Sequence, residues 1–329
     1  MSFRSDSCSD EAPPYVLPFF TTALSILFAL VTIPGNALVL VAVFRDPYGN
    51  LRTPFNYLVL NLAIADLSVG LIVNPLSIIY HLDEGIKSIN LPGFGIEIEH
   101  VAYLTACTAS VLSMASMTAD RYVAVVHAAR YKAFQTTRRV VITCTIIWLL
   151  SGSVTYLYFV IGDFLYRFVF ANVVVIFTFC ILVFSFFRIN LTLRRQRARL
   201  NVQAVASIAT PAARAHQYVP NMKYEVRVTK MFSIILLWYV VCYLPACIAI
   251  YLVNFCHSCS CDVIHWLRDL QLCFLLLSSA VNPYVYAWTS PRFRSAFLKI
   301  LYLSQYDRAR GHGNATMSSP TDNQMTSMR

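Results

Sequence analysis

Asp66 lies inside the apolar run LNLAIADLSVGL, residues 60–71. A carboxylate there has no water to solvate it, and an ionisable group buried in hydrocarbon costs about 2.5–3.5 kcal/mol or more. Polar residues able to answer it stand in other apolar runs: Asn36, Ser110, Ser278, Ser279 and Asn282. One carboxylate ringed by hydroxyl and amide oxygens is suitable chemistry for a hard monovalent cation such as sodium. The same residues also suit a protonated Asp66 in a structural hydrogen-bond network, and composition leaves the two open.

Asp120, Arg121 and Tyr122, in SMTADRYVAVV, form a second charged group where an apolar stretch meets water. Arg121 can pair with neighbouring Asp120. A partly exposed pair is worth only about 0.2–1 kcal/mol, which suits a latch that must open. Cys8, Cys256, Cys259 and Cys261 form a third group, all outside the apolar runs. Four cysteines permit three full pairings. The C-x2-C-x-C spacing also admits zinc, although an oxidising secretory compartment favours disulfides. The other six cysteines fall in apolar runs and read as small apolar fillers.

The elements that must position these groups follow from composition. The 329 residues are 57% hydrophobic and 13% charged with 22 Phe, too apolar for a soluble domain of this length. A helix needs about 20 apolar residues to cross a bilayer. Seven such spans fit, over 15–44, 54–82, 97–127, 138–161, 164–193, 225–254 and 264–289. The expected fold class is therefore all-α, a seven-transmembrane helix bundle. The first 14 residues, a short extracellular N-terminus in this reading, hold no apolar core followed by a cleavage site, so span one is expected to act as its own insertion signal.

Orientation follows from lysine and arginine, which collect on cytoplasmic flanks. With the N-terminus outside, 22 of the 26 Lys and Arg residues face the cytoplasm, and ten of the sixteen acids face out. The net charge of +10 then calls for no nucleic-acid partner, because basic loops meet anionic membrane lipid. The loop after span five opens with LRRQRARL and lacks an apolar period, as a linker does. After span seven, PRFRSAFLKILY places Phe293, Phe297, Ile300 and Leu301 on one face of a short helix suited to the inner membrane surface. Domain organisation reads as a seven-helix bundle over 15–302 and a disordered cytoplasmic tail over 303–329. The sequon at Asn314 faces the cytoplasm and is expected to carry no glycan.

Several motifs in fixed order resemble the rhodopsin-like (class A) G-protein-coupled receptors: PGNALVL with Asn36, NLAIADL with Asp66, DRY at 120–122, Trp148, CYLP at 242–245 and NPYVY at 282–286. The resemblance runs through all seven spans. It implies that Arg121 also pairs with an acid at the base of span six, here Glu225, and that Tyr286 swings inward on activation. Pro245 and Pro283 each remove a helix hydrogen bond and would let the inner halves of spans six and seven pivot. The implied partners are an extracellular ligand, a heterotrimeric G protein, with Arg130, Tyr131, Lys132 and the 194–199 basic run as contacts, and arrestin. The implied location is the plasma membrane, and no enzyme activity is expected.

Departures from the family pattern narrow the branch. Ile96 stands where the usual span-three disulfide cysteine is expected, Thr178 replaces the span-five proline, Phe186 a common tyrosine, and Tyr243 the span-six tryptophan. The cysteines after span six are similar to those of melanocortin and adenosine receptors. This partial resemblance implies the pairs Cys256–Cys259 and Cys8–Cys261. Asn282 departs from the melanocortin aspartate, and the acids that grip a basic peptide there are only loosely echoed by Glu97 and Glu99.

By family position the ligand pocket comprises Tyr103, Leu104, Cys107, Tyr243, Ala246, Cys247, Ile250, Leu272 and Leu276, beneath a rim of Glu97, Glu99 and Asp269. Tyr103 replaces the aspartate of amine receptors, and span seven has no lysine for retinal. An apolar or amphipathic ligand fits first, a basic peptide next. A constitutively active or decoy receptor is the nearer alternative, given Tyr243 and Thr178. A seven-helix transporter would need paired intramembrane charges or repeats, and a membrane hydrolase several buried His or Asp ligands.

Overall fold

The computed structural model describes residues 8, 11–86, 93–127, 131, 135–161, 179–180, 183–189, 191–192, 194–195, 198, 219–256 and 258–302. Side chains at 93–97, 99–100, 158, 161 and 219–232 lie outside that description. Six described helices are long and apolar enough to cross a membrane. They are span one (Val16–Arg45), span two (Pro54–Ser68 continued by Asn74–Ile86), span three (Gly93–Val126), span four (Thr137–Ile161), span six (Val219–Phe255) and span seven (Cys261–Thr289). Span five, expected over 164–193, falls mostly outside the described residues, and its described stretch 183–189 is helical. No strand occurs among the described residues, and the fold is an all-α seven-transmembrane bundle.

Local chemistry fixes the helix ends. Span one stops where Asp46 turns left-handed at φ 39° and its N–H returns to the Ala42 carbonyl. The Asp46 carboxylate then accepts the backbone N–H groups of Asn50 and Leu51 at 2.9 Å and of Arg52 at 3.3 Å, folding the following turn. Desolvation acts against this carboxyl, yet the N–H groups of Leu51, Asn50 and Arg52 hold it below the ordinary carboxylate range. Span two starts with Pro54 behind Thr53, whose hydroxyl accepts the Asn56 N–H at 3.3 Å.

Span two is interrupted by a π-helical turn, Val69–Val73. A β-carbon on Gly70 in this turn would stand 2.9 Å from Ile33 Cγ1, so glycine is what lets spans one and two close. Span one also meets span seven at a glycine: a β-carbon on Gly35 would lie 3.1 Å from Pro283 Cγ. Span three packs against spans two and four, and span six against spans seven and three.

The main core gathers Val39, Leu58, Met114, Met117, Ile235 and Tyr286 from five spans. Leu30, Leu149 and Leu237 are more than 60% exposed, so the bundle is apolar outside as well as inside, as lipid requires. Residues 291–302 form the expected short helix. Phe293, Phe297 and Ile300 are buried, but Leu301 is exposed and Ala296 lies on the packed face instead. At about 100° per residue, Leu301 falls about 80° round from Phe293. Lys299 ties this helix to the first loop, donating to the Pro47 carbonyl at 3.1 Å and lying 4.5 Å from the Tyr48 ring centre.

Candidate functional site

Three polar groups inside this apolar bundle carry the chemistry. At mid-bundle, Asp66 is 1% exposed. Asn282 donates its amide to Asp66 Oδ2 at 2.8 Å, and the hydroxyls of Ser279 and Ser110 face the same carboxylate. Asn36 donates to the carbonyls of Thr32 at 3.0 Å and Ser279 at 3.2 Å, stitching span one to span seven. Ser278 is buried alongside. All six expected residues of this network are thus buried, and Asn282 is hydrogen-bonded to Asp66 directly. Ser110 Oγ and Asn36 Oδ1 are buried and make no hydrogen bond among the described residues. A carboxylate with unspent hydroxyl and amide oxygens fits a small monovalent cation.

At the end of span three, Arg121 Nε donates to Asp120 Oδ2 at 2.9 Å, and Nη2 reaches both Asp120 and the Tyr131 hydroxyl, the latter at 2.8 Å. Tyr131 OH in turn lies 3.2 Å from Asp120 Oδ1, and the Gln135 amide donates to the same oxygen. The Arg121 guanidinium carbon sits 4.2 Å from the Phe55 ring centre. The expectation of a partly exposed pair is corrected here, because both side chains are only 3% exposed. Phe55 and Tyr131 cover the pair, so removing one partner would strand a buried charge. Tyr122 is half-buried with its ring 6.0 Å from that of His127, outside the ion pair. Glu225 lies on the backbone of span six, but its side chain, and with it the expected second pair, is outside the described residues. Arg130, Lys132 and half of the 194–199 run, residues 196, 197 and 199, are outside them as well.

Between these groups, Tyr243 is buried and stacked on Tyr239 with ring centres 4.1 Å apart. Pro245 and Pro283 stand inside their helices as expected. Tyr286 is fully buried 5.8 Å from the Phe293 ring, and its hydroxyl makes no hydrogen bond among the described residues. Trp148 donates to Asn61 Oδ1 at 3.1 Å while the Asn61 amide donates to Ser113 at 2.7 Å, joining spans two, three and four. Sequence reasoning singled out Trp148 but missed Asn61, Ser113 and Gln135, whose partners lie on other helices.

At the opposite end, Cys8 pairs with Cys261 and Cys256 with Cys259. Both implied disulfides are present, which leaves no thiolate of this group for zinc. His265 lies 3.1 Å from the Glu11 carbonyl, holding the N-terminal segment over span seven. Of the expected pocket residues, Leu104, Cys107, Tyr243, Ala246, Cys247, Ile250 and Leu276 are buried, and Tyr103 and Leu272 half-buried. Leu276, Leu272 and Tyr103 pack together with Val69 and Val73, whereas Tyr243 and Cys247 belong to the main core. Asp269, expected at the rim, is 2% exposed. Arg268 and Thr21 hold it inside at 2.9 and 2.7 Å, and His81, which sequence reasoning passed over, faces it at 3.5 Å. Asp269 is therefore another buried acid of the spans besides Asp66. Glu97 and Glu99 have side chains outside the described residues.

Residues 35–286 match the family described as 7 transmembrane receptor (rhodopsin family). The chain is 35% identical to tyramine receptor 1 of Locusta migratoria over 164 residues, 46% of this chain and 32% of that receptor. It thus spans about a third of the length of that relative. Melanocortin receptor 3 of Mus musculus is 25% identical over 295 residues, covering 86% of this chain and 85% of the relative. Neuromedin-U receptor 2 of Rattus norvegicus is 25% identical over 324 residues, 89% and 78% respectively.

Proposed function

The chain belongs to the rhodopsin family of seven-transmembrane receptors, and from that premise we propose that it carries an extracellular ligand signal across the plasma membrane to a heterotrimeric G protein. The observation that carries this reading is the covered Arg121 site. Asp120, Tyr131 and Phe55 hold a guanidinium at the end of span three in one closed arrangement, with Gln135 fixing Asp120. A ligand that binds better to a form with this site opened shifts the population toward it. The freed Arg121 and the space beside it would then receive the G-protein alpha subunit, and arrestin in turn. The chain acts by this change of shape and makes no bond itself.

Orientation in this reading rests on the basic flanks: the Arg121 end faces the cytoplasm and the disulfide end faces out. Asp66, Ser110, Ser278, Ser279, Asn282 and Asn36 would hold a sodium ion, which supplies positive charge to the buried carboxylate. The ligand is an apolar or amphipathic molecule before a basic peptide. Tyr103, Leu272 and Leu276 are apolar-faced, and Asp269 is already engaged by Arg268 rather than free at the rim. Tyr103 also separates this chain from amine receptors.

The test is ligand-free coupling. The chain and Arg121→Ala are expressed at matched surface levels, and dissociation of each alpha-subunit class is recorded. A class-selective signal present in the chain and lost in the variant supports the reading; an equal signal in both overturns it.

A further inference from the structure

We propose that His81, Asp269 and Glu84 form a binding site for a divalent transition-metal ion such as Zn2+, clamping span two to span seven at the disulfide-bearing end of the bundle. One ligand atom from each of the three lies within 4.8 Å of the others. His81 and Asp269 are each 2% exposed.

The hydrogen bonds around His81 fix what it offers. Its Nδ1 lies 2.8 Å from the Ser77 carbonyl, which can only accept, so the ring proton sits on Nδ1. Nε2 faces Asp269 Oδ2 at 3.5 Å in a buried site, and one cation joins the pair there, a proton on Nε2 or a metal ion in its place. The separation exceeds the 2.7–3.2 Å or so of an N–H···O bond. It is close to the roughly 3.4 Å between two ligands of one tetrahedral zinc, at bond lengths of about 2.0–2.2 Å. A backbone carbonyl orienting the distal ring nitrogen is the usual support of a metal-bound histidine. Thr21 supports the other ligand, donating to Asp269 Oδ2 at 2.7 Å.

The cluster holds two carboxylates, Asp269 and Glu84, and one fixed cation, the guanidinium of Arg268. That guanidinium donates to Asp269 Oδ1 at 2.9 Å and to both Glu84 oxygens at 3.0 and 3.1 Å, and its side chain is 32% exposed. Glu84 can become the third ligand by turning from Arg268 toward His81, so Arg268 is the metal's competitor. Water completes the coordination from the exposed side.

Purified full-length receptor in detergent, stripped with chelator, is titrated with ZnCl2 while its thermal unfolding is followed. A ligand that binds only the folded state raises Tm in proportion to ln(1 + [Zn2+]/Kd). The chain is expected to be stabilised at micromolar zinc, with no comparable response to Ca2+. His81→Ala abolishes the shift, and Glu84→Gln, which replaces a charged ligand by a neutral one, moves it to at least about tenfold higher zinc. Arg268→Gln moves the titration to lower zinc, a gain that a purely structural ion pair does not produce. No shift in the chain, an equal Ca2+ shift, or a zinc response retained in both His81→Ala and Glu84→Gln overturns the proposal. If His81→Ala does not fold, Glu84→Gln and Arg268→Gln decide it by their opposite directions.

Discussion

Asn282 of span seven donates to Asp66 of span two across 2.8 Å, in a pair buried to 4% and 1% exposure. The bond spends one carboxylate oxygen on a neutral donor and leaves the remaining charge to a proton or a cation. Ser110, buried beside that carboxylate and without a hydrogen bond among the described residues, is an oxygen placed to join it in holding a cation.

Replacing NaCl by KCl is therefore expected to lower the Tm of the purified chain or raise its basal coupling. Asp66→Asn is expected to lose that sodium dependence, because the neutral amide needs no counter-ion. Sodium sensitivity retained in Asp66→Asn would place the cation elsewhere.

Tyr131 closes the Arg121 site through its hydroxyl, so Tyr131→Phe removes hydrogen bonds while keeping the ring. A loss of about 1 kcal/mol from the closed form is a shift of roughly fivefold in the closed-to-open ratio. Basal G-protein dissociation at equal surface expression is expected to rise by about that factor. Glu225→Ala is expected to raise it too, on the spacing of Glu225 to Pro245, and an unchanged basal signal would remove Glu225 from the latch.

Trp148→Phe leaves Asn61 Oδ1 buried without its donor. The expected cost is about 1–3 kcal/mol, visible as a lower Tm. Asn61→Ala alone should cost a similar amount, and the double variant less than the sum, because both changes break one network. Additive losses would show that the three-helix link is not cooperative.

Asp46 gives a pH-dependent turn. Its folded-state carboxyl is held below the ordinary range, so its contribution is present in full above the unfolded value and is lost as pH falls through the folded one. Asp46→Ala should remove the same contribution at neutral pH. Amide exchange at Asn50, Leu51 and Arg52 is expected to accelerate in the variant, and unchanged protection there would count against the carboxylate.

Cys8→Ser should free the thiol of Cys261 and loosen the segment whose Glu11 carbonyl meets His265. Maleimide labelling at Cys261 with Cys256 and Cys259 still unreactive is the expected pattern. Labelling at Cys256 or Cys259 would mean the two bridges exchange.

The sequence alone determined the features that depend on residues near in the chain. Length and apolarity located the six described spans to within a few residues at most ends, since crossing hydrocarbon sets both. Motif order identified Asp66, Arg121, Asn282 and Tyr286 as the residues to watch, and resemblance supplied the two disulfide pairs. The tertiary structure decided which polar groups meet. Asp66 and Asn282 are separated by 216 residues, and Glu84 and Arg268 by 184. Helical periodicity says which face a residue occupies, not which neighbouring helix that face meets. Asp269 accordingly read as a rim acid, yet Thr21, His81 and Arg268 enclose it. Arg121 read as a half-exposed pair because neither Phe55 nor Tyr131 is near enough in sequence to announce its cover. Burial of a charge depends on what packs over it, and in a helix bundle that comes from elsewhere in the chain.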